Sequence, residues 1–284
     1  MKLFKKFAVV ALVGALSIGA VTSASAAAKK LSGKIVINGS SALLPLTLQA
    51  ANEFKKQHPK VRISASAAGS ITGPQSVRKG IADIGAIDWD ATKPVPGFSA
   101  FKDQIAYKVA VIPFGVATNK NVAVDNLTTE QLQGIFSGKI TNWKEVGGKD
   151  AEIVVINRKF GSGTRVNFQA KALKGAEFMS KGSNYKEVGS SGEMRTAVET
   201  TPNAIGYMDF TYFTDKMNVP KFNGVEATTA NVVNGKYEVY GTGYYMTKGE
   251  ASGAVKAFIE YVQSSKFQNS SLKKLKFIPI TAMK

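Results

Sequence analysis

Residues 107–120 read YKVAVIPFGVATNK, an apolar run rich in β-forming residues that is longer than a typical strand. A second run of the same kind, YEVYGTGYYMTKG, covers residues 237–249. Before and between the two runs, short strands alternate with amphipathic helices, an order typical of an α/β protein with mainly parallel sheets. The two long runs therefore predict β-strand crossovers that connect two α/β lobes.

This interpretation makes the first lobe discontinuous in sequence. We expect lobe one to comprise residues 27–113 and 238–284, and lobe two to comprise residues 114–237.

Within the lobes, apolar runs predict strands at GKIVING (33–39), VRISASA (61–67) and AEIVVINR (151–158). Thr128 and Gln131 have the spacing of a capping box, which predicts that a helix begins there.

The first 26 residues have the pattern of a secretory signal peptide. Three lysines precede an apolar stretch that is short for a membrane span, and SASAAA then offers small residues for cleavage, which we place after Ala26. The chain contains no cysteine, which excludes disulfides and removes the residue on which a bacterial lipid anchor is built. We therefore expect a soluble periplasmic or secreted protein that is not lipid-anchored.

The chain is strongly basic, with a formal net charge of +17, of which +14 remains after the three lysines of the leader are removed. A positive field favours encounters with anions of any size. Charge alone does not choose between a small anion, nucleic acid, an anionic membrane surface and a basic solvated surface, and the last is the default. Because nucleic-acid binding has no support beyond charge, we expect none.

Three loops that follow predicted strands and precede predicted helices are rich in glycine and hydroxyl residues. They are NGSSALLP (38–45), AGSITGP (68–74) and KFGSGTR (159–165), the last of which lies between Arg158 and Arg165. Ligands of parallel sheets bind outside the carboxyl ends of the strands, where helix N-termini offer free N–H groups to anions. One such loop is weak support, because most of them only cap a helix, but three together favour an anion site.

Asp88 follows the apolar stretch ADIGAI (82–87) and is expected at the same edge of the sheet. It could be a helix cap or an ion-pair partner. A carboxylate placed among anion-binding donors repels a fully ionised anion. It can, however, accept a hydrogen bond from an anion that carries a proton.

Catalysis and metal binding have little support in the sequence. His58 is the single histidine and lies in a polar segment, so we expect it at the surface. Ser162 has no histidine nearby to activate it, and no His/Cys cluster could hold zinc. Trp89 and Trp143 are expected to be packing residues. We therefore predict a protein that is not an enzyme and that uses no cofactor and no metal.

At RKFGSGTR (158–165) the chain resembles the periplasmic phosphate-binding proteins that serve ABC-type phosphate importers. The resemblance continues through GSSALLPL (39–46), AGSITGPQSVRKGIADIGAID (68–88) and IFSGKITNWKEVGG (135–148). It implies a type II periplasmic-binding-protein fold, in which two lobes close on inorganic phosphate before delivery to a membrane ABC permease. The family also implies a monomer.

The resemblance implies a set of ligand-contacting residues in both lobes. Arg158 would pair with the charge of the anion, and Asp88 would accept the phosphate proton. The full set is Ser40, Ser41, Ala42, Leu43, Ser70, Thr72, Asp88, Arg158, Ser162, Gly163 and Thr164.

Three residues depart from the family pattern. Ala42 replaces a ligand-contacting serine or threonine, Ile87 replaces a small polar residue, and Phe160 replaces a polar or acidic one. A hydrogen bond to a charged group contributes about 1.5–3 kcal/mol, so one missing hydroxyl weakens binding roughly tenfold to a hundredfold. The departures leave two alternatives open, a binder of a related oxyanion and a ligand-free structural or adhesive relative. A phosphoester hydrolase that uses Asp88 is a third, against which the missing metal ligands argue.

Overall fold

The computed structural model describes residues 31–283, so the predicted signal peptide lies outside the described residues. Its strands are β1 Gly33–Gly39, β2 Val61–Ala67, β3 Ile84–Ile87, β4 Gln104–Asn119, β5 Asn126–Leu127, β6 Val154–Arg158, β7 Tyr185–Val188, β8 Ala204–Asp209, β9 Met217–Asn218, β10 Lys221–Phe222 and β11 Tyr240–Lys248. Its α-helices are α1 Leu44–Gln57, α2 Thr72–Arg78, α3 Thr129–Phe136, α4 Gly163–Lys171, α5 Ser191–Thr200, α6 Thr229–Val233, α7 Gly253–Gln263, α8 Ser265–Gln268 and α9 Ser271–Lys274. Single 3₁₀ turns cover Trp143–Val146 and Phe210–Tyr212.

The main sheet has the strand order β2-β1-β3-β11-β4-β8-β6-β7, with β9 added beside β4. Its two ends are parallel, β2-β1-β3 on one side and β8-β6-β7 on the other. The strands between them are antiparallel. The alternation of strands and helices in the sequence predicted an α/β protein, and the structure confirms this prediction.

Strand β4 joins the two parallel ends, as its unusual length predicted. Its first part pairs with β11 as far as Pro113, and its second part pairs with β8 from Phe114 onward. The strand thus changes partner at the predicted lobe boundary, although the residue limits of the lobes stay a prediction. The second long run differs in detail, because β11 begins at Tyr240 rather than Tyr237. Just before it, the carbonyl of Val239 accepts from the Phe114 N–H, beside the point where β4 changes partner.

The helices cover the sheet with apolar faces. The ring of Phe54 in α1 meets Phe258 in α7 edge to face, with 5.4 Å between the centroids. On the other half, Phe168 of α4 stacks on Tyr207 of β8 at 4.2 Å. Trp143 is fully buried, as predicted. Within residues 31–283, no helix combines the length and the hydropathy needed to cross a bilayer.

Candidate functional site

The polar residues selected from the sequence lie where strands end and helices begin. Ser40 follows β1, Asp88 follows β3, and Arg158 is the last residue of β6. Because β1 and β3 run parallel, their carboxyl ends lie side by side, and this brings Ser40 next to Asp88. The result is a buried cluster that draws on both ends of the main sheet.

Arg158 lies at the centre of the cluster and is only 1% exposed. Its Nη1 donates to Ser191 Oγ at 3.1 Å, and its Nη2 donates to Ser41 Oγ at 3.1 Å and to the Gly189 carbonyl at 3.0 Å. Its Nε has no partner within residues 31–283. Burial lowers the pKa of this guanidinium from its usual value, and the nearby Tyr207 and Asp88 act in the opposite direction.

Asp88 is also 1% exposed and accepts a short hydrogen bond from the Ser40 hydroxyl. Burial raises the pKa of this carboxyl to about 6, against the opposing effects of the Ser40 and Ser70 hydroxyls and the charge of Arg158. A carboxyl of this kind, close to one guanidinium, is ready to accept a hydrogen bond from a protonated oxyanion.

The glycine loop approaches these groups with its backbone. Ser162 caps helix α4, and the next residue, Gly163, donates its N–H to Ser70 Oγ at 3.1 Å. A Cβ atom at Gly163 would lie 2.5 Å from both Ser70 Oγ and Asp88 Oδ2, so only glycine permits this approach. The buried hydroxyl of Thr164 has no hydrogen-bond partner among the described residues, which leaves it free to donate to a bound group.

Most of the predicted residues come together, but not all in the same way. Leu43 takes part through its backbone N–H, which donates to Ser40 Oγ at 3.1 Å, and Ala42 is buried beside it. Thr72 instead uses its hydroxyl within its own turn, donating to the Gly69 carbonyl at 2.7 Å.

The structure explains two of the three family departures by packing. Ile87 is fully buried and joins an apolar cluster with Trp89 and Met246, so a polar group there would lose its hydration. Phe160 is 69% exposed, and its ring stacks on Phe98 at 4.6 Å. For Ala42 we find no compensating hydroxyl in the described contacts.

Direct contacts hold the two ends of the sheet together around the cluster. The N–H of Ile71 donates to the Gly161 carbonyl at 3.1 Å, and Asn167 Nδ2 donates to the Asp88 carbonyl at 2.9 Å. The hydroxyl of Tyr212 donates to the Ser41 carbonyl at 2.8 Å. These bonds join segments far apart in sequence and enclose the buried polar groups.

Sequence reasoning missed Ser191 and Asp209. Ser191 N–H donates to Ser41 Oγ at 3.0 Å, so the N-terminus of α5 contributes to the cluster. The sequence contained a signal for Ser191, because a small-residue loop also precedes α5, as in the three loops that were selected. Asp209 is fully buried, and neither carboxylate oxygen has a hydrogen-bond partner within residues 31–283. Burial raises its pKa to about 8, and the negative charge of Asp88 acts in the same direction.

Within the described chain, no group of three or more His, Cys, Asp or Glu side chains is placed to hold a metal ion. The donor set consists of one guanidinium, hydroxyls and backbone N–H groups, which together suit an anion.

Comparisons with known proteins place the chain among binding proteins of transporters. A family model described as a PBP superfamily domain matches residues 24–266. The phosphate-binding protein PstS of Bacillus subtilis is 39% identical over 257 residues, which is 90% of this chain and 84% of that protein.

Two solved structures share this fold over most of their length. One, from Clostridium perfringens, is described as a phosphate ABC transporter substrate-binding protein with bound phosphate. It has a TM-score of 0.80 at 33% identity and covers 87% of this chain and 100% of that chain. The other, an ABC-type phosphate transport receptor from Vibrio cholerae, has a TM-score of 0.67 at 25% identity over 86% of this chain and 99% of that chain. The similarity thus extends over almost the whole of each chain.

Proposed function

Because the chain belongs to the PBP superfamily and is related to phosphate-binding proteins along nearly its whole length, we propose that it captures inorganic phosphate between two lobes and delivers it to a membrane ABC importer. The observation that carries the proposal is that one buried guanidinium, Arg158, and one buried carboxyl, Asp88, lie in the same cluster of hydroxyl and N–H donors. The guanidinium binds the negative charge, and the carboxyl accepts the proton that phosphate retains.

The residues that contact phosphate in this proposal fall into two groups. Ser40, Ser41, Leu43, Ser70 and Asp88 come from lobe one, and Arg158, Ser162, Gly163 and Thr164 come from lobe two. The orphan atoms Arg158 Nε and Thr164 Oγ1 support this assignment, because buried donors are normally satisfied and an oxyanion would satisfy them. Ala42 contributes at most its backbone N–H.

Titration calorimetry with phosphate, arsenate and sulfate tests the proposal. We expect phosphate and arsenate to bind and sulfate, which carries no proton at neutral pH, to bind at least a hundredfold more weakly, because it would face Asp88 without a hydrogen bond between them. Asp88→Asn removes the repulsion and should narrow the difference between phosphate and sulfate, whereas the exposed control Asp215→Asn should leave it unchanged. Failure to detect phosphate binding at millimolar concentration would favour the ligand-free structural relative.

The proposal involves no catalysis, no cofactor and no metal. A phosphoester hydrolase that uses Asp88 is the alternative, and turnover of a chromogenic phosphoester that Asp88→Asn abolishes would support it. We also propose that the exported protein is a monomer without a lipid anchor, consistent with the absence of cysteine. Light scattering of the purified protein measures the oligomeric state.

A further inference from the structure

Five exposed basic side chains gather at one pole of the first lobe. They lie where β1 and β2 begin and where α1 ends, and none of them forms an ion pair with a carboxylate within residues 31–283. We call this surface the basic pole; its residues are Lys34, Lys55, Lys56, Lys60 and Arg62.

Helices α8 and α9 extend the positive surface, because they pack beside the end of α1. The carboxylate of Glu53 accepts from the hydroxyls of Ser271 and Tyr261, at 2.5 and 2.6 Å. Burial acts to raise the pKa of Glu53, but hydrogen bonds from these hydroxyls and from Gln49, together with the charge of Lys56, outweigh it and lower the pKa. The carboxylate of Glu53 is therefore held mainly by these hydrogen bonds and offsets only part of the charge of Lys56. The exposed lysines that these helices add are Lys266, Lys273 and Lys274.

The basic pole is separate from the anion cluster. Strand β1 begins at Gly33, beside Lys34, and ends at Gly39, just before Ser40. At about 3.3 Å per residue, the strand places some 20 Å between the basic pole and the cluster. A partner held at the pole would thus leave the binding site free.

The pole has the chemistry of a surface for a polyanion rather than for a small ion. The anion cluster around Arg158 is buried and its donors converge, whereas the lysines of the pole are exposed and carry their charges on flexible, hydrated stems. Each such cation contributes little alone, but several of them bind a repeating anion together by releasing its counterions. The ring of His58, just after α1, is half-buried and packs at a tilt against Phe54, with 4.5 Å between the centroids, so it offers no free aromatic face to nucleobases.

The charges also wrap around an edge instead of lying in one plane. Lys34 pairs in register with Arg62, so both side chains project from the same face of the sheet. The alternating Ile35 faces the other way and joins the buried cluster that contains Phe54 of α1, and α1 carries Lys55 and Lys56 on that other side. A flexible chain can follow such an edge more fully than a flat bilayer can.

We propose that the basic pole binds an anionic polymer of the cell envelope with repeating phosphodiester groups, which retains the exported protein near the cell surface. The sequence contains no cysteine on which a lipid anchor could be built. Binding to such a polymer would hold the exported protein at the cell surface in the place of a lipid anchor.

Fluorescence anisotropy with labelled poly(glycerol phosphate) tests the proposal on the purified exported protein. The triple variant Lys55→Glu, Lys56→Glu, Lys60→Glu should bind the polymer at least tenfold more weakly at low salt. The matched control Lys181→Glu, Lys186→Glu, Lys216→Glu changes three exposed, unpaired lysines of the other lobe and the same net charge, and it should stay within twofold of wild type. For wild type, log affinity should fall with log salt with a slope of about −3.

The outcomes separate pole binding from general charge effects. Equal weakening in the two variants would mean that net charge alone matters and would overturn the proposal. So would tighter binding to duplex DNA, or binding to anionic lipid vesicles without binding to the polymer. Phosphate titration and thermal unfolding of both variants should match wild type, so failure here is distinguishable from failure of the proposed function.

Discussion

Arg158 connects the two predicted lobes through a single side chain, since its guanidinium donates to Ser41, assigned to lobe one, and to Ser191 and Gly189, assigned to lobe two. Its planar fork is what allows these simultaneous bonds.

We therefore expect Arg158→Lys to lose phosphate affinity although the positive charge is kept. A single ammonium cannot make the same set of bonds, and the buried hydroxyl of Ser41 or Ser191 would lose one of its hydrogen bonds. Because two charge-assisted hydrogen bonds are lost, we expect calorimetry to give a dissociation constant for phosphate that is at least ten times larger. Arg78→Lys, at an exposed arginine that pairs with Asp103, is the control and should leave affinity unchanged. Equal affinity in both variants would contradict the role given to Arg158.

Asp209 makes stability depend on pH in an unusual direction. Its folded pKa of about 8 lies above the ordinary value of 3.8, so the folded protein holds a proton that the unfolded chain has lost. Stability is therefore full below pH 4 for this group and falls as pH rises toward 8, by about 1.4 kcal/mol per pH unit. Asp88 acts in the same sense, but only up to its pKa of about 6.

Between pH 6 and 8, the ligand-free protein should thus lose stability that the Asp209→Asn variant keeps. Urea unfolding in a buffer without phosphate measures the difference, which should grow by about 2 kcal/mol across this window, because the dependence on pH flattens near the folded pKa. The exposed control Asp215→Asn should follow wild type. Parallel curves for wild type and Asp209→Asn would show that Asp209 is hydrated in the ligand-free protein.

Arg158 and Asp88 could be predicted from the sequence because each is a charged residue at the end of an apolar strand, next to a predicted anion-binding loop. Ser191 was missed because serines at the start of a helix usually only cap it, as Ser190 does here, and because its contact with Ser41 spans 150 positions of the chain. Asp209 escaped because burial of a strand-end carboxyl depends on packing from distant elements. Thr72 was predicted by the family pattern, yet its hydroxyl bonds within its own turn.

Among the elements, local patterns predicted most strands and caps. GKIVING and VRISASA form β1 and β2 with the expected limits, and Thr128 and Gln131 make the predicted capping box at α3. The limits of an element were less predictable where tertiary contacts decide them. Strand β11, for example, begins at Tyr240, the residue that pairs with Pro113 of β4.

The loop that carries Phe160 shows an element-level feature that no local pattern predicts. Phe160 lies between Arg158 and Ser162, and its exposed ring stacks on Phe98, which in turn contacts Trp89 at 5.3 Å. Phe98 falls in lobe one and Phe160 in lobe two of the predicted division. The stack therefore joins the two lobes at the rim of the cluster.

We expect Phe160→Ala to release phosphate faster without removing any proposed contact with it. An aromatic pair contributes about 0.5–1.5 kcal/mol beyond its buried area, so the release rate should rise roughly twofold to tenfold. Stopped-flow release measures the rate, and Phe160→Tyr should restore it because the ring remains. Val233→Ala, at another exposed apolar side chain, is the control. Release unchanged in Phe160→Ala would mean that the stack does not stabilise the closed arrangement.

Across the whole molecule, the two predicted connections between the lobes lie side by side. Strand β4 changes partner between Pro113 and Phe114, and Val239 precedes β11 at the same place. Rotation at this one location would separate the halves of the cluster. The groups that would be rehydrated include Arg158 and Asp88, whose burial without a bound anion is costly. We therefore expect the ligand-free protein to favour an open arrangement.

Phosphate should then both stabilise and compact the protein. At a free concentration a hundred times the dissociation constant, linkage adds about 2.7 kcal/mol, which corresponds to roughly 5–10 °C in the unfolding midpoint of a chain of this size. Small-angle scattering should show a smaller radius of gyration with phosphate than without it. Sulfate at the same ionic strength is the control and should produce neither change. A stabilisation without compaction would mean that the lobes are already closed before phosphate binds, and equal effects of sulfate and phosphate would remove the selective role of Asp88.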